Sequence, residues 1–170
     1  VLGSITVDGS LILSTGVGAN LNVGGNWSLG GSGSFVANGK KVTFNGGAGI
    51  QYLTGNTTFY DLTLSNSGAS TDFGTTTTTV INDFSNSAGT MVPSTSRVVF
   101  TGSSASILGN NAKNFYDIEI DPGAILNHSG SGNIHVYNSF TNNGWFEQSS
   151  TLITYFDQAG AIENLLGIPD

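Results

Sequence analysis

"GGSGSFVANGKKVTFNGG", residues 30–47, decides how this chain is read. It holds glycine and serine, an apolar residue, a polar turn, then a β-branched and aromatic run; it reads either as a spacer or as one copy of something that repeats. The second reading wins on spacing. Phe44 in "KVTFNG" and Phe100 in "RVVFTG" are 56 residues apart. The same offset of 56 relates "FYDLTL" (59–64) to "FYDIEI" (115–120), Lys41 to Arg97, and "GSF" (33–35) to "GTM" (89–91). "VGGNW" (23–27) recurs as "VINDF" (80–84) and "VYNSF" (136–140), and a drifted copy follows as "GWFEQSSTLITYF" (144–156). Self-similarity at a fixed period is the mark of a repeat architecture, so the whole chain, 1–170, is one array. Its copies fall at about 20–75, 76–132 and 133–158, with a C-terminal cap over 159–170.

The repeat is made of strands. "YDLTL" and "YDIEI" alternate with period two, which sets Tyr60, Leu62 and Leu64 on one face and Asp61 and Thr63 on the other. Short strands are expected at 20–27, 34–36, 41–45, 50–53, 58–65, 76–84, 97–101, 115–120, 133–140 and 151–156, separated by Gly, Asn and Ser clusters. Few segments have helical periodicity; the best is "AGAIENLLG" (159–167), a short helix with Gly167 as its stop. Sequence-near strands differ in length and do not mirror one another, which disfavours hairpins. The expected fold is therefore all-β, a right-handed parallel β-helix (β-solenoid), with a β-sandwich as the alternative. With coils of roughly 18–22 residues, 56 residues make about three coils and the chain eight or nine. Trp27, Phe44, Leu62, Leu64, Phe84, Val98, Phe100, Ile118, Ile120 and Phe140 are the expected stacked core.

Composition narrows the function classes. Charged residues are 9% of the chain, against roughly 25% in an ordinary soluble domain, and 38% are hydrophobic. The net charge is −7, and Lys40, Lys41, Arg97 and Lys113 are the only basic residues, which argues against nucleic acid and anionic membrane surfaces. No cysteine is present, which excludes disulfides, thiol catalysis and thiolate metal sites. No apolar run is long enough to span a bilayer, and "VLGSITV" is not a signal peptide.

"GNWSLGGSGSFVANGKKVTFNGGAGIQYLTGNTTFYDLTLSNSG" (25–68) resembles the Gly/Asn/Ser/Thr-rich repeats of large secreted prokaryotic surface proteins and adhesins. The resemblance covers the first copy well, the second moderately and the third in fragments. It implies a β-solenoid, an extracellular or cell-surface address and a scaffolding or adhesive role, and it brings no catalytic residues.

Candidate sites are few. In "YDIEIDPG" (116–123), Asp117, Glu119 and Asp121 alternate and project from one strand face, a spacing able to hold Ca²⁺ or an acid/base pair. Asp61 matches Asp117, while Thr63 and Ser65 replace the other two, so Asp117 reads as scaffold and the pair as copy-specific. "FGTTTTTV" (73–80) lacks the rung-after-rung threonines of an ice-binding array. His128 sits in a turn and His135 points outward from a strand; their spacing favours no metal pair and leaves a Ser/His/Asp triad open. Phe59 and Phe115 fall opposite Tyr60 and Tyr116, either as exposed anchors or buried under a turn. Asn26, Asn56 and Asn127 fit the N-x-[ST] glycosylation pattern. The N-terminal stretch "VLGSITVDGSLILSTG" is apolar and alternating, so Ile5 and Val7 are expected at an open end that associates with copies of the chain or with further repeats of a parent chain. No enzyme activity and no cofactor are expected. A carbohydrate-binding or carbohydrate-active β-helix, with surface glycans as partners, is the alternative function.

Overall fold

The structure, a computed structural model, describes residues 3–157 and the backbone of 162–165. Every strand pairing in it is parallel, and ladder partners lie one coil apart, from 20 residues at Lys41↔Asp61 to 26 at Trp27↔Leu53. That is a parallel β-solenoid and not a sandwich. Its coils have three faces. Leu21–Val23, Lys41–Phe44, 61–64, 83–86, Ala105–Leu108, Ile125–His128 and Trp145–Gln148 stack on the first. Ile5–Val7, Trp27–Leu29, Ile50–Thr54, 70–72, 90–92, 113–115, 134–136 and Thr154–Phe156 follow one another on the second. The third carries Ser10–Ile12, Ser34–Val36, Thr57–Phe59, Thr77–Val80, Arg97–Phe100, 117–120, 139–142 and Ile162–Leu165. The long strands Asp61–Asp72, Asp83–Val92, Lys113–Ile120 and Ile134–Asn142 bend around corners and belong to two faces each.

The repeat and the coil have different lengths. From Lys41–Phe44 on the first face to Arg97–Phe100 on the third, the chain passes eight strand positions, or two and two-thirds coils. The expected three coils per repeat is thus corrected, as is the coil count: the first face carries seven strands among the described residues. Equivalent segments land on successive faces and still find equivalent neighbours. Val42↔Leu62 and Phe44↔Leu64 in the first copy become Val98↔Ile118 and Phe100↔Ile120 in the second. The turns follow the same rule. Asn38 (φ 50°) and Ser94 (φ 48°) are 56 apart and are the two non-glycine residues with positive φ among those described. Each sits in a turn closed by a matching bond, Lys40 N–H to the Ala37 carbonyl (3.0 Å) and Ser96 N–H to the Pro93 carbonyl (3.0 Å). A non-glycine residue enters this region only where its surroundings require it.

Alternation fills the interior. All ten expected core residues are buried, and Phe84, Phe100 and Phe115 pack with centroids 5.6–6.5 Å apart. Phe59 and Phe115 are core residues too, each fully buried. Of the two readings of these residues, burial is the one that holds; the correction is to Tyr60, which does not share the inward face of Leu62 and Leu64, and corners explain it. Tyr60 occupies the bend between Thr57–Phe59 and Asp61–Asp72, and a register shift separates Phe115 from Asp117, so each tyrosine is turned half outward without shifting its neighbours out of the core. The threonine run alternates likewise, with Thr76 and Thr78 buried and Thr77 and Thr79 half-buried.

The expected helix over 159–167 is corrected where it is described: 162–165 is a strand, with Phe140↔Ile162 as a ladder pair. Pairing with an open edge satisfies backbone groups that a short isolated helix would leave free. The rest of that stretch lies outside the described residues.

Candidate functional site

The corner between the first and second faces is polar inside. Coils of unequal length leave looped backbone there, whose carbonyls must find donors. Gln51 donates to the carbonyls of Val23 (3.0 Å) and Gly25 (2.6 Å) and accepts from Gly46 N–H (2.9 Å). Asn86 donates to the Ala112 carbonyl (2.7 Å). In the next coils the same work falls to ionisable groups. Lys113 is fully buried, and its Nζ donates to the carbonyls of Gly109 (2.6 Å) and Gly132 (3.0 Å). Nε2 of His128 lies 2.8 Å from the same Gly132 carbonyl, and Nδ1 lies 3.4 Å from Gln148 Oε1. Burial lowers the Lys113 pKa to about 8. Burial also lowers that of His128, against the opposing effect of its bonds to Gly132 and Gln148, and the Lys113 charge adds to the lowering. The pair is a tie between loops. Its amine has no exposed surface from which to meet a substrate.

The sequence hint for this cluster was available in the repeat. Lys113 stands 56 residues after Thr57, itself buried and accepting a bond from Trp27 Nε1 (3.0 Å). The position faces inward in both copies. His128, read as a turn residue, closes the strand Ile125–His128 and is buried.

The three acidic residues of 117–121 are engaged differently from one another. Asp117 Oδ1 accepts from Asn138 Nδ2 (2.6 Å), Ser139 N–H (3.1 Å) and Ser139 Oγ (2.7 Å) in the next coil. Asp61 does the same for Asn82 (2.8 Å) and Asp83 N–H (3.1 Å), so the aspartate is a corner tie in both copies. Glu119 forms an ion pair with Arg97, its ladder neighbour but one along the strand. Asp121 lies at the corner, its N–H bonded to the Phe100 carbonyl (3.0 Å). Among the described residues no three His, Cys, Asp or Glu side chains gather in an arrangement that would hold a metal ion. Sequence reasoning missed one carboxylate pair: the Asp83 N–H bonds Asp61 Oδ1 in the preceding coil (3.1 Å), and burial, then the Asp61 charge, raises the Asp83 pKa.

His135 is on the outer surface, as expected, with Nδ1 2.7 Å from Asp157 Oδ2 and its ring stacked on Tyr155 at 4.7 Å. Neither imidazole is bonded to a serine. Asn26 and Asn56 are exposed and Asn127 half-buried; the Asn26 and Asn56 side-chain oxygens accept Tyr52 N–H (3.0 Å) and Thr77 N–H (2.8 Å) from the next coil.

At the N-terminal end, among the described residues, Ile5–Val7, Ser10–Ile12 and Leu21–Val23 each pair only with the following coil. Val7 is buried, while Ile5, Leu11 and Leu21 are only partly covered. Ile5 N–H bonds forward to the Asn26 carbonyl (2.8 Å), so Thr6 turns its backbone groups to the open side. The three edge strands "ITV", "SLI" and "LNV" contain no charge. Comparison with protein-family models, curated proteins and solved structures finds no match to this chain.

Proposed function

We propose that this chain is an extracellular structural or adhesive β-solenoid module that builds surface layers or filaments by stacking end to end on copies of itself or on further repeats of a parent chain. The observation that carries the reading is a coil of three uncharged strands, Ile5–Val7, Ser10–Ile12 and Leu21–Val23, each of which pairs on one edge with the following coil and, among the described residues, with nothing on the other. Such an edge is a template for another parallel coil of the same cross-section, and natural proteins that remain monomeric blunt it with charge, proline or a covering element. A head-to-tail contact is heterologous and does not close, so its product is a filament. The composition suits that role, since Ser, Thr, Asn and Gly supply most of the polar surface and 9% of residues are charged. The reading is non-enzymatic and requires no cofactor.

Thr6→Pro tests it without touching the interior. Thr6 is exposed, and proline there removes the outward N–H. Sedimentation over a concentration series is expected to show growing assemblies of the unsubstituted chain and a monomer for Thr6→Pro. Charged replacements at Ile5 should act in the same direction. An unsubstituted chain that remains monomeric at the highest concentration overturns stacking on copies of itself.

A further inference from the structure

The stack has a fault in each repeat, and one of the two is open. Ser34 N–H bonds the Gly9 carbonyl (2.7 Å) and the Val36 carbonyl accepts from Leu13 N–H (3.0 Å), so residues 34 and 36 face the preceding coil. In a parallel ladder alternate residues face opposite neighbours, which aims the N–H and C=O of Phe35 at the following coil. The strand there, Thr57–Phe59, does not pair with it, although it pairs forward with Thr77–Val80. Phe59 bonds forward through Ile81 N–H (3.0 Å), so Thr58 turns its own backbone groups back towards Phe35. Two donors and two acceptors therefore meet across an unlaced gap.

The second copy has the same gap, 56 residues on, between 90–92 and 113–115. There it is bridged. Asn114, the equivalent of Thr58, donates from Nδ2 to the Met91 carbonyl (3.0 Å), and Met91 is the equivalent of Phe35. The threonine side chain is shorter and carries no amide. In the first copy a hollow of about 300 Å³ remains, lined among others by Phe35, Val36, Asn38, Thr58, Tyr60 and Ile81. None of its lining residues is charged. Phe35 is partly covered and sits edge-on to Trp27 at 4.9 Å, so the hollow reaches to the aromatic core. No group in the chain bonds the Tyr60 hydroxyl among the described residues.

We propose that this hollow binds a neutral hexose unit of a glycan chain. The occupant must be uncharged, because no counter-charge lines the site and the walls are apolar. It must both donate and accept hydrogen bonds, because Phe35 and Thr58 each offer one of either kind. It must also present an apolar face to the Tyr60 and Ile81 walls. A pyranose ring has all three properties; an isolated apolar side chain would leave the backbone groups unsatisfied. The size is at the lower end of small-ligand sites, roughly 300–1,000 Å³. The inference is independent of end-to-end assembly, since the site lies on the outer wall of the solenoid and not on its terminal coil.

The test uses maltotriose, cellotriose and mannotriose at millimolar concentration, followed by amide chemical shifts of the full chain. At least one is expected to shift Phe35, Thr58, Tyr60 and Ile81. Thr58→Asn copies the natural bridge of the second repeat and is expected to weaken that binding at least about tenfold. Ile81→Lys, a change at a residue 37% exposed, should do the same by placing a charge in the wall. Absence of shifts with all three sugars overturns the proposal, as does binding that Thr58→Asn and Ile81→Lys leave unchanged. Occupation of the hollow by a neutral apolar strand peptide, with the sugars inert, overturns the ligand class.

Discussion

Phe100→Ala is expected to destabilise the fold by about 3–5 kcal/mol, the range found when a large buried aromatic is truncated in a core that cannot collapse around the loss. Phe100 has no exposed surface and meets Phe84 at 6.5 Å and Phe115 at 6.3 Å, both nearly edge-on. The ladder holds its backbone on both sides, Val80↔Phe100 and Phe100↔Ile120, so neighbouring coils cannot close the cavity without breaking parallel pairing. Urea unfolding should show the loss as a lower midpoint. An effect below about 1 kcal/mol would mean that the ring is not stacked in the interior.

The second large effect is a pH dependence centred on Lys113. In the unfolded chain its amine has the ordinary value of 10.5, and in the fold burial lowers this to about 8. The unfolded state therefore binds more protons between these values, and stability rises with pH across that window. Below about pH 8 the amine is charged in both states and the full desolvation cost is present; above 10.5 that cost is gone. The displacement sets an upper limit of about 3 kcal/mol on the gain. Comparison with Lys113→Met isolates this group from the ionising tyrosines: the difference between the two stability curves should slope between pH 8 and 10.5 and be flat below. His128 works from the other side. Its lowered pKa means that acidification below its ordinary value of 6.5 protonates the unfolded chain first, which costs the fold stability.

How far the sequence reveals this molecule depends on whether a feature obeys the repeat. Period-two alternation located the core, because inward positions such as Leu62, Leu64, Ile118 and Ile120 must be apolar wherever coils stack. Alternation breaks at corners, which is why it sets Tyr60 inward with Leu62 and Leu64 and leaves Phe59 and Phe115 open between an exposed position and burial under a turn, of which the structure has the second. The strands Ala105–Leu108 and Ile125–His128 escaped notice because each is four residues long and half of it, the Ala-Ser start of "ASIL" and the Asn-His end of "ILNH", does not read as strand. Coil length is not written in the repeat period. Nothing in an offset of 56 says whether it spans two and two-thirds coils or three; the ladder registers decide that. The acidic strand was legible as a scaffold only at Asp117, where an internal copy exists at Asp61. The polar corner and the unlaced gap were hidden for the same reason: both arise where one coil fails to match the next, which is a relation between segments and not a property of either.

The central claim is a three-faced stack around which the repeat advances by eight strand positions, so that equivalent residues face different directions. Lys41 and Arg97 are equivalent, both exposed, and lie on the first and third faces. The chain has no cysteine, so each can be replaced by a single labelled one. Pulsed electron-spin distances between labels at 41 and 97 are predicted to be clearly longer than three strand spacings, because the labels project from different faces. A distance near roughly 14 Å, three rises of about 4.8 Å along one face, would contradict it.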